Sequence, residues 1–385
     1  MTDAEANQVE GTTDVDTAGR AGRLGREVLA VLPAWITARV LVGTGYVLAV
    51  AVSNRLVGEH PEQLNNGLLA WDGTFYRDIA AGGYHSLPIG SVRFFPLFPL
   101  IGRLLAAPVG GRVGPVLVIL ANLLSIVALV LLRRLVMLEK GDSALADRAV
   151  WCLALFPAAF VLVFGYSESL MLALTIGLFL ALRRGRWWWV AALGLAAGLC
   201  RPLGVVVALP VAFEALRGWR ERRPGEWPGV VAAVAAPAAG LGIYLAWVGH
   251  GFGNWRLPFT VQDDLRGGVK FPLTRVIEGF HQLAGSERFG DGLHLPFLLA
   301  LLVLLVVAFR TWPAIYGLYA GAILVLALSA ENLNSIERYG MSAFPLALAL
   351  AVLIRPPQVD RAVMAVLGGG IVALSSMAWL GAYVP

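Results

Sequence analysis

The stretch WDGTFYRDIAAGGYHSLPIGSVRFFPLFPL, Trp71 to Leu100, decides how the chain is read. It is the most polar-rich piece of an otherwise membrane-like sequence, and it follows directly on the first long apolar run. Leu68, Trp71, Phe75 and Ile79 recur at steps of three or four, which predicts a helix over 68–81 with one apolar face. Asp72 and Tyr76 flank that stripe, and Gly82-Gly83 is expected to stop the helix as a left-handed cap. A segment this short and charged does not cross a bilayer. It is expected to lie along the interface, apolar side toward lipid, with its carboxylate at the membrane surface.

Outside this stretch the composition fixes the class. Of 385 residues 58% are hydrophobic and 14% charged, far from the quarter charged of a soluble domain, so the chain reads as an all-α polytopic integral membrane protein. The apolar runs are continuous and lack porin-like alternation, which excludes a β-barrel. The net charge of +5 comes from arginines gathered in short loops, with only Lys140 and Lys270 beside them, and no aromatic-studded basic domain suggests a nucleic-acid partner. Cys152 and Cys200 both lie in apolar runs and are expected to be free thiols.

Residues 1–27 are polar, then basic, and read as a disordered cytoplasmic tail; 28–385 form a single transmembrane domain. About eleven spans are expected: 28–52, 113–132, 149–166, 168–183, 187–200, 203–216, 228–249, 294–309, 313–330, 340–354 and 361–380. Several fall short of the ~20 residues of a straight span, so those helices must be broken or sheltered. Arg133-Arg134, the run RRGR at 183–186, RGWRERR at 217–223, Arg310 and Arg355 then share the tail's side, which is cytoplasmic by the positive-inside rule. The segment 94–111, with Pro96 and Pro99, is read as re-entrant or interfacial. Two long outer loops remain, 53–112 and 250–293, and nearly all mixed-sign, aromatic-rich sequence lies on that outer face. A site built there works outside the cytoplasmic membrane, with the N-terminus inside.

Asp72 is a candidate general base, although a solvated carboxylate on a surface helix is the commoner case. Asp78 is a second carboxylate nearby, and Arg77 and Arg93 could keep Asp72 charged; Trp71 or Tyr76 could stack on a sugar. Glu168 sits between two apolar runs with no adjacent basic residue, either functional or an N-terminal carboxylate beside Ser167 and Ser169. Arg201 and Arg338 stand at outer helix ends, where guanidinium suits a lipid phosphate or an ion pair with Glu168 or Glu337. Arg39, mid-span, needs a partner, either in a structural pair or in a contact to the donor lipid. The histidines show no ligand spacing, so no metal site is assigned.

Several segments occur together in order: WD at 71–72, GGY at 82–84, RFFPLFPL at 93–100, FPAAFVLVFGYSESL at 156–170, LCRPLG at 199–204 and ERYGMSAFPL at 337–346. Their ordered set resembles the PIG-V family of mannosyltransferases, whose eukaryotic members add the second mannose to glycosylphosphatidylinositol. The resemblance implies a GT-C glycosyltransferase-like bundle, with interfacial helices in its first outer loop. It implies transfer of mannose from a polyprenyl-phosphate mannose donor to an acceptor hydroxyl on a lipid, glycan or protein, on the extracytoplasmic face. By position it makes Asp72 the catalytic acid. It puts Trp71 beside that acid and Glu168, Arg201 and Arg338 around the sugar and lipid phosphate, while Tyr76, Arg77, Asp78, Tyr84, Arg93 and Tyr166 are further candidates for substrate contact. The Arg, Ala, Gly and Val richness reads as a bacterial member, so the acceptor is not inherited from the resemblance. No cofactor is assigned, and the sequence does not bear on metal dependence.

Two other classes compete. A transporter or flippase of a lipid-linked sugar should carry midplane charges and repeated halves, neither of which is evident. A structural subunit without chemistry leaves the ordered outer-face motifs unused; within the same class, a GT-C enzyme using a different sugar is the remaining alternative.

Overall fold

In a computed structural model the described residues are 3–56, 60–266, 268, 271–284, 292, 294–330 and 333–384. They are helical throughout, with no β-strand among them. In chain order the helices are α1 (Asp3–Leu56), α2 (Glu62–Asn65), α3 (Asp72–Gly82), α4 (Leu97–Ala106), α5 (Val113–Lys140), α6 (Ser143–Ala154), α7 (Glu168–Arg183), α8 (Trp187–Cys200) and α9 (Ala208–Arg217). There follow α10 (Trp227–Phe252), α11 (Leu257–Arg266), α12 (Pro272–Ala284), α13 (Leu295–Thr311), α14 (Ala314–Leu328), α15 (Ile336–Ser342), α16 (Pro345–Leu353) and α17 (Pro357–Trp379). Helix α1 begins at Asp3, inside the stretch 1–27 expected to be a disordered tail.

Among the described residues four helices are long and apolar enough to cross a membrane: α1 over Gly22–Arg55, α5, the Pro224–Phe252 stretch and α17. A fifth is counted if α15 and α16, bent by 85° at their junction, form one broken span. The eleven expected spans are not all reproduced: 149–166 runs from α6 through the turn Pro157–Leu162, 203–216 opens in the turn Pro202–Val207, 340–354 crosses the bend between α15 and α16, and α8, α13 and α14 do not reach span length alone. The chain is an integral membrane protein: its long helices are apolar, and large hydrophobic side chains such as Val40, Leu104, Ile119, Val231, Val303 and Val366 stand exposed on the outside of the bundle.

Helix α7 is hydrophobic on all sides and therefore lies in the middle of the bundle, nearly every residue buried. Where helices touch most closely, glycine permits it. A Cβ on Gly198 of α8 would stand 2.2 Å from the Pro237 carbonyl of α10, and one on Gly240 2.2 Å from the Leu195 carbonyl. Cys152 and Cys200 are both free and buried.

The first loop departs from its expected form. Helix α3 starts at Asp72, not 68, because Trp71 adopts φ 56° and breaks the helical run. The buried face is Gly73, Tyr76, Ile79 and Ala80; Tyr76, Ile79 and Ala80 share a core with Phe94, Phe95, Phe98 and Leu117, and Gly73 faces Leu69 and Tyr166. The aromatic content of RFFPLFPL thus forms a protein core under α3. The helix does end at Gly82-Gly83, but Gly83 has φ 77° with an extended ψ of 177°, a conformation open essentially to glycine. Helix α4 has ten residues, about 15 Å, half of a hydrocarbon layer, and Phe98, Pro99, Gly102 and Ala106 pack it inward. Over 250–293, α11 and α12 replace part of the expected loop, and α11 packs on the turn Ile89–Arg93 of the first loop.

Candidate active site

Three breaks in helical structure bring the charged residues together. At the first, Trp71 is strained, at a cost on the order of 1–3 kcal/mol. It is held by its N–H donating to Gln63 Oε1 at 2.7 Å and its indole N–H to the Ala378 carbonyl at 2.8 Å. The bend sets Asp72 as the first residue of α3, where the helix dipole favours a carboxylate. At the second, the turn Pro157–Leu162 leads into Tyr166-Ser167, and Glu168 opens α7. At the third, Arg201 is extended between α8 and the turn Pro202–Val207. Arg338 arrives on the short helix α15, whose N-cap Ser335 has φ 67°.

Arg338 Nη2 donates to Asp72 Oδ2 at 2.7 Å, and the same guanidinium also donates to Glu168 Oε1. Arg201 donates to that same Glu168 oxygen. Glu168 is 1% exposed, and its other oxygen, Oε2, is buried without a hydrogen-bond partner. Tyr166, fully buried, donates its hydroxyl to the Ala70 carbonyl at 3.0 Å and accepts the Asp72 N–H at 3.2 Å, with its ring under the Arg338 guanidinium. Tyr76 shares a 2.7 Å hydrogen bond with Ser167. The two readings of Arg201 and Arg338 therefore meet: both are paired with carboxylates, and both also line a cavity.

That cavity measures about 600 Å³. Its polar wall is Asp72, Tyr76, Arg93, Arg201, Asn334, Arg338 and Tyr339, and its apolar wall includes Trp71, Phe94, Leu203, Leu241, Phe259 and Leu326. Asp72 is not the surface carboxylate expected from an interfacial helix; its side chain is 22% exposed and opens into the cavity. Burial by itself would raise its pKa, but the charge and hydrogen bond of Arg338, with the charges of Arg201 and Arg93, outweigh it and hold the carboxyl below its ordinary value.

Not every predicted residue comes here. Arg77 and Asp78 pair with each other at 2.7 Å, both partly exposed, and neither lines the cavity. Tyr84 is buried outside it and donates to the Phe94 carbonyl at 2.6 Å, fixing the first loop. Arg39 is resolved as structural: it donates to Asn122 Oδ1, Ser125 Oγ and the Trp35 and Leu162 carbonyls. Sequence reading missed Gln262, Asn334 and Tyr339 on the cavity wall. Tyr339 follows Arg338 directly, and Gln262 stands in the polar run VQDDLR, so adjacency and polarity were the available signals. It also missed the buried cluster behind Arg338, where His294 Nδ1 lies 2.8 Å from Glu337 Oε1 and Tyr383 donates to Glu337 Oε2 at 3.0 Å. Among the described residues no three His, Cys, Asp or Glu side chains group as metal ligands would.

Residues 44–220 match the mannosyltransferase (PIG-V) family, a range that contains Asp72, Arg93, Glu168 and Arg201 but not Arg338. GPI alpha-1,6-mannosyltransferase 2 of Mus musculus is 37% identical over 150 residues, 36% of this chain and 30% of the mouse protein. The protein of the same name from Cricetulus griseus is 38% identical over 136 residues, 33% of this chain and 27% of its own length. The matches thus span under a third of either relative. Among solved structures, an oligosaccharyltransferase of Archaeoglobus fulgidus aligns over 87% of this chain and 53% of its own, at TM-score 0.43 and 15% identity. A second structure, archaeal oligosaccharyltransferase AglB with an inhibitory peptide and a dolichol-phosphate, aligns over 89% and 54%, at TM-score 0.39 and 14% identity.

Proposed function

We propose that this chain, whose residues 44–220 match the mannosyltransferase (PIG-V) family, transfers mannose from a polyprenyl-phosphate donor to an acceptor hydroxyl in this cavity. The observation that carries the reading is Asp72 on the cavity wall with Arg338 and Arg201 beside it. A sugar phosphodiester brings one negative charge, and the arginines offer it forked donors. The apolar wall of Leu203, Leu241, Phe259 and Leu326 suits an isoprenoid chain. We place this end of the bundle on the extracytoplasmic face of the cytoplasmic membrane, because the arginine-rich loops lie at the other end.

In the step, the acceptor oxygen bonds to the sugar's anomeric carbon as the bond from that carbon to the phosphate oxygen breaks. The acceptor proton passes to Asp72, and the electron pair of the broken bond stays on the phosphate. A carboxylate held by Arg338 is a weak base at rest. As the phosphate gains charge it competes for the same guanidinium, and the hold on Asp72 loosens when the proton must be taken. Glu168 keeps Arg201 and Arg338 in place meanwhile. Asp72→Asn preserves size and removes the base, so transfer of label from polyprenyl-phosphate mannose into membrane lipid, glycan or protein should fall about a hundredfold or more. Transfer at the parent's rate would take Asp72 out of the chemistry.

A further inference from the structure

At the opposite end of the bundle, four arginines face one concavity. Arg23 and Glu27 come from α1, Arg133 and Arg134 from α5, and Arg184 from the residue after α7; the space they enclose is about 640 Å³. Two helices measure how far this lies from the reaction cavity. Gly114 of α5 stands beside Leu69 and Arg77 of the first loop, and Arg134 is twenty residues, about 30 Å, further along that helix. Helix α7 opens with Glu168 beside the reaction cavity and ends with Arg183, fifteen residues or about 22 Å away. The concavity therefore lies about one hydrocarbon thickness from the reaction cavity, at the headgroup level of the other leaflet.

Its chemistry is specific. Arginines that only anchor a helix snorkel outward separately, whereas these converge from three elements. Arg134 is fixed by Glu27 at 2.8 Å and Arg133 by Asp147 at 2.7 Å, so the floor is ordered before any ligand arrives. Arg23 and Arg184 are exposed on the rim. Four guanidiniums against Glu27 in the lining and Asp147 behind Arg133 still leave a net positive site, and the forked donors match phosphate oxygens. Leu24, Met137 and Leu138, all partly exposed in the same wall, give the site an apolar flank facing the acyl region. We propose that this concavity binds the phosphodiester headgroup of an anionic phospholipid in the leaflet opposite the reaction cavity.

The full chain in zwitterionic detergent tests this, with dioleoylphosphatidylglycerol, dioleoylphosphatidylcholine or sodium phosphate added. Thermal midpoints and lipid retained in native mass spectra are read together. Phosphatidylglycerol should raise the midpoint and be retained in preference to phosphatidylcholine, and sodium phosphate should do little. Arg23→Gln with Arg184→Gln, both on the exposed rim, should leave the lipid-free midpoint in place and demand about thirtyfold more phosphatidylglycerol for the same shift. Equal retention of the two lipids overturns the proposal, as does an unchanged response in the double variant. A full shift from phosphate alone would make it a free-anion site. Loss of the shift in Arg201→Gln would move the bound lipid to the reaction cavity, and overturn the assignment while leaving the mannosyl-transfer reading untouched.

Discussion

Arg338 reaches Asp72 across 266 positions of chain, donating to its Oδ2 at 2.7 Å, and the same guanidinium is shared with Glu168. Two carboxylates on separate helices are thus one ionic unit, closed by a residue from the last third of the chain. The arrangement explains why Glu168 can be buried. A lone carboxylate at 1% exposure would be neutralised or excluded, whereas two arginines on one oxygen compensate its desolvation.

Arg338→Lys separates binding from folding. Lysine keeps the positive charge between the carboxylates but loses the fork that serves both of them and, in the proposed reaction, a phosphate. The variant should accumulate and melt near the parent, with kcat/KM for donor down tenfold or more. Arg338→Met should instead lose roughly 3–5 kcal/mol, since it strands carboxylates without the cation. Detergent melting curves beside label-transfer rates give both numbers. Parent-like rates in the lysine variant would remove the fork from the proposed donor contact.

The pH dependence follows from the depressed pKa of Asp72. Its folded value lies below the ordinary 3.8, so the stabilisation from pairing is present above that value and is lost as pH falls through the folded pKa. Transfer rates should therefore show no acid limb from Asp72 between neutrality and about pH 5. Arg338→Gln removes the strongest opposing influence and leaves burial, which acts upward, so an acid limb should enter the measurable range. A parent limb centred above pH 5 that shifts in Asp72→Glu would show the carboxyl is not held down by the arginines.

Close helix contact in the bundle predicts a sharp contrast among three glycines of α8 and α10. Gly198→Ala and Gly240→Ala would each push a Cβ to 2.2 Å from a backbone carbonyl of the neighbouring helix, which side-chain motion does not relieve. Each should cost about 1–3 kcal/mol and lower yield. Gly242→Ala meets nothing within 4 Å and should be neutral or slightly stabilising. Equal melting of all three would mean that α8 and α10 are further apart than described.

The sequence made the apolar runs legible because each is a continuous stretch whose burial needs no distant partner. Glu168, Arg201 and Arg338 were legible as charges at the edges of apolar runs, Asp72 and Arg93 as charges of the first loop, and all five converge on one site. The start of α3 was not, since the positive φ of Trp71 depends on acceptors at Gln63 and Ala378 that periodicity does not contain. For the same reason the stripe through Leu68 and Phe75 pointed to lipid, while the packing face turned to Tyr76 and Ala80 once the helix began at Asp72. Arg77 seemed near Asp72 by spacing, yet its immediate neighbour Asp78 captured it. The cluster of His294, Glu337 and Tyr383 was invisible because its members meet only through folding of α13, α15 and the segment after α17.

Orientation in the membrane is decided by where thiols can be reached. Cys152 and Cys200 are buried, so an introduced cysteine should report with little background. Ser86 follows α3 on the reaction-cavity side and is exposed; Ser143 opens α6 next to the arginine-rich end and is also exposed. A third probe position, Ser286, lies outside the described residues. On the orientation proposed from arginine bias, the Ser143 end is cytoplasmic. In intact cells, Ser86→Cys should react with a membrane-impermeant maleimide and Ser143→Cys should react only after lysis. Because both sites are open to solvent, protection of one of them cannot be ascribed to burial and must come from the membrane itself. Labelling of Ser143→Cys without lysis, with Ser86→Cys protected, would invert the protein and put the proposed transfer on the cytoplasmic face.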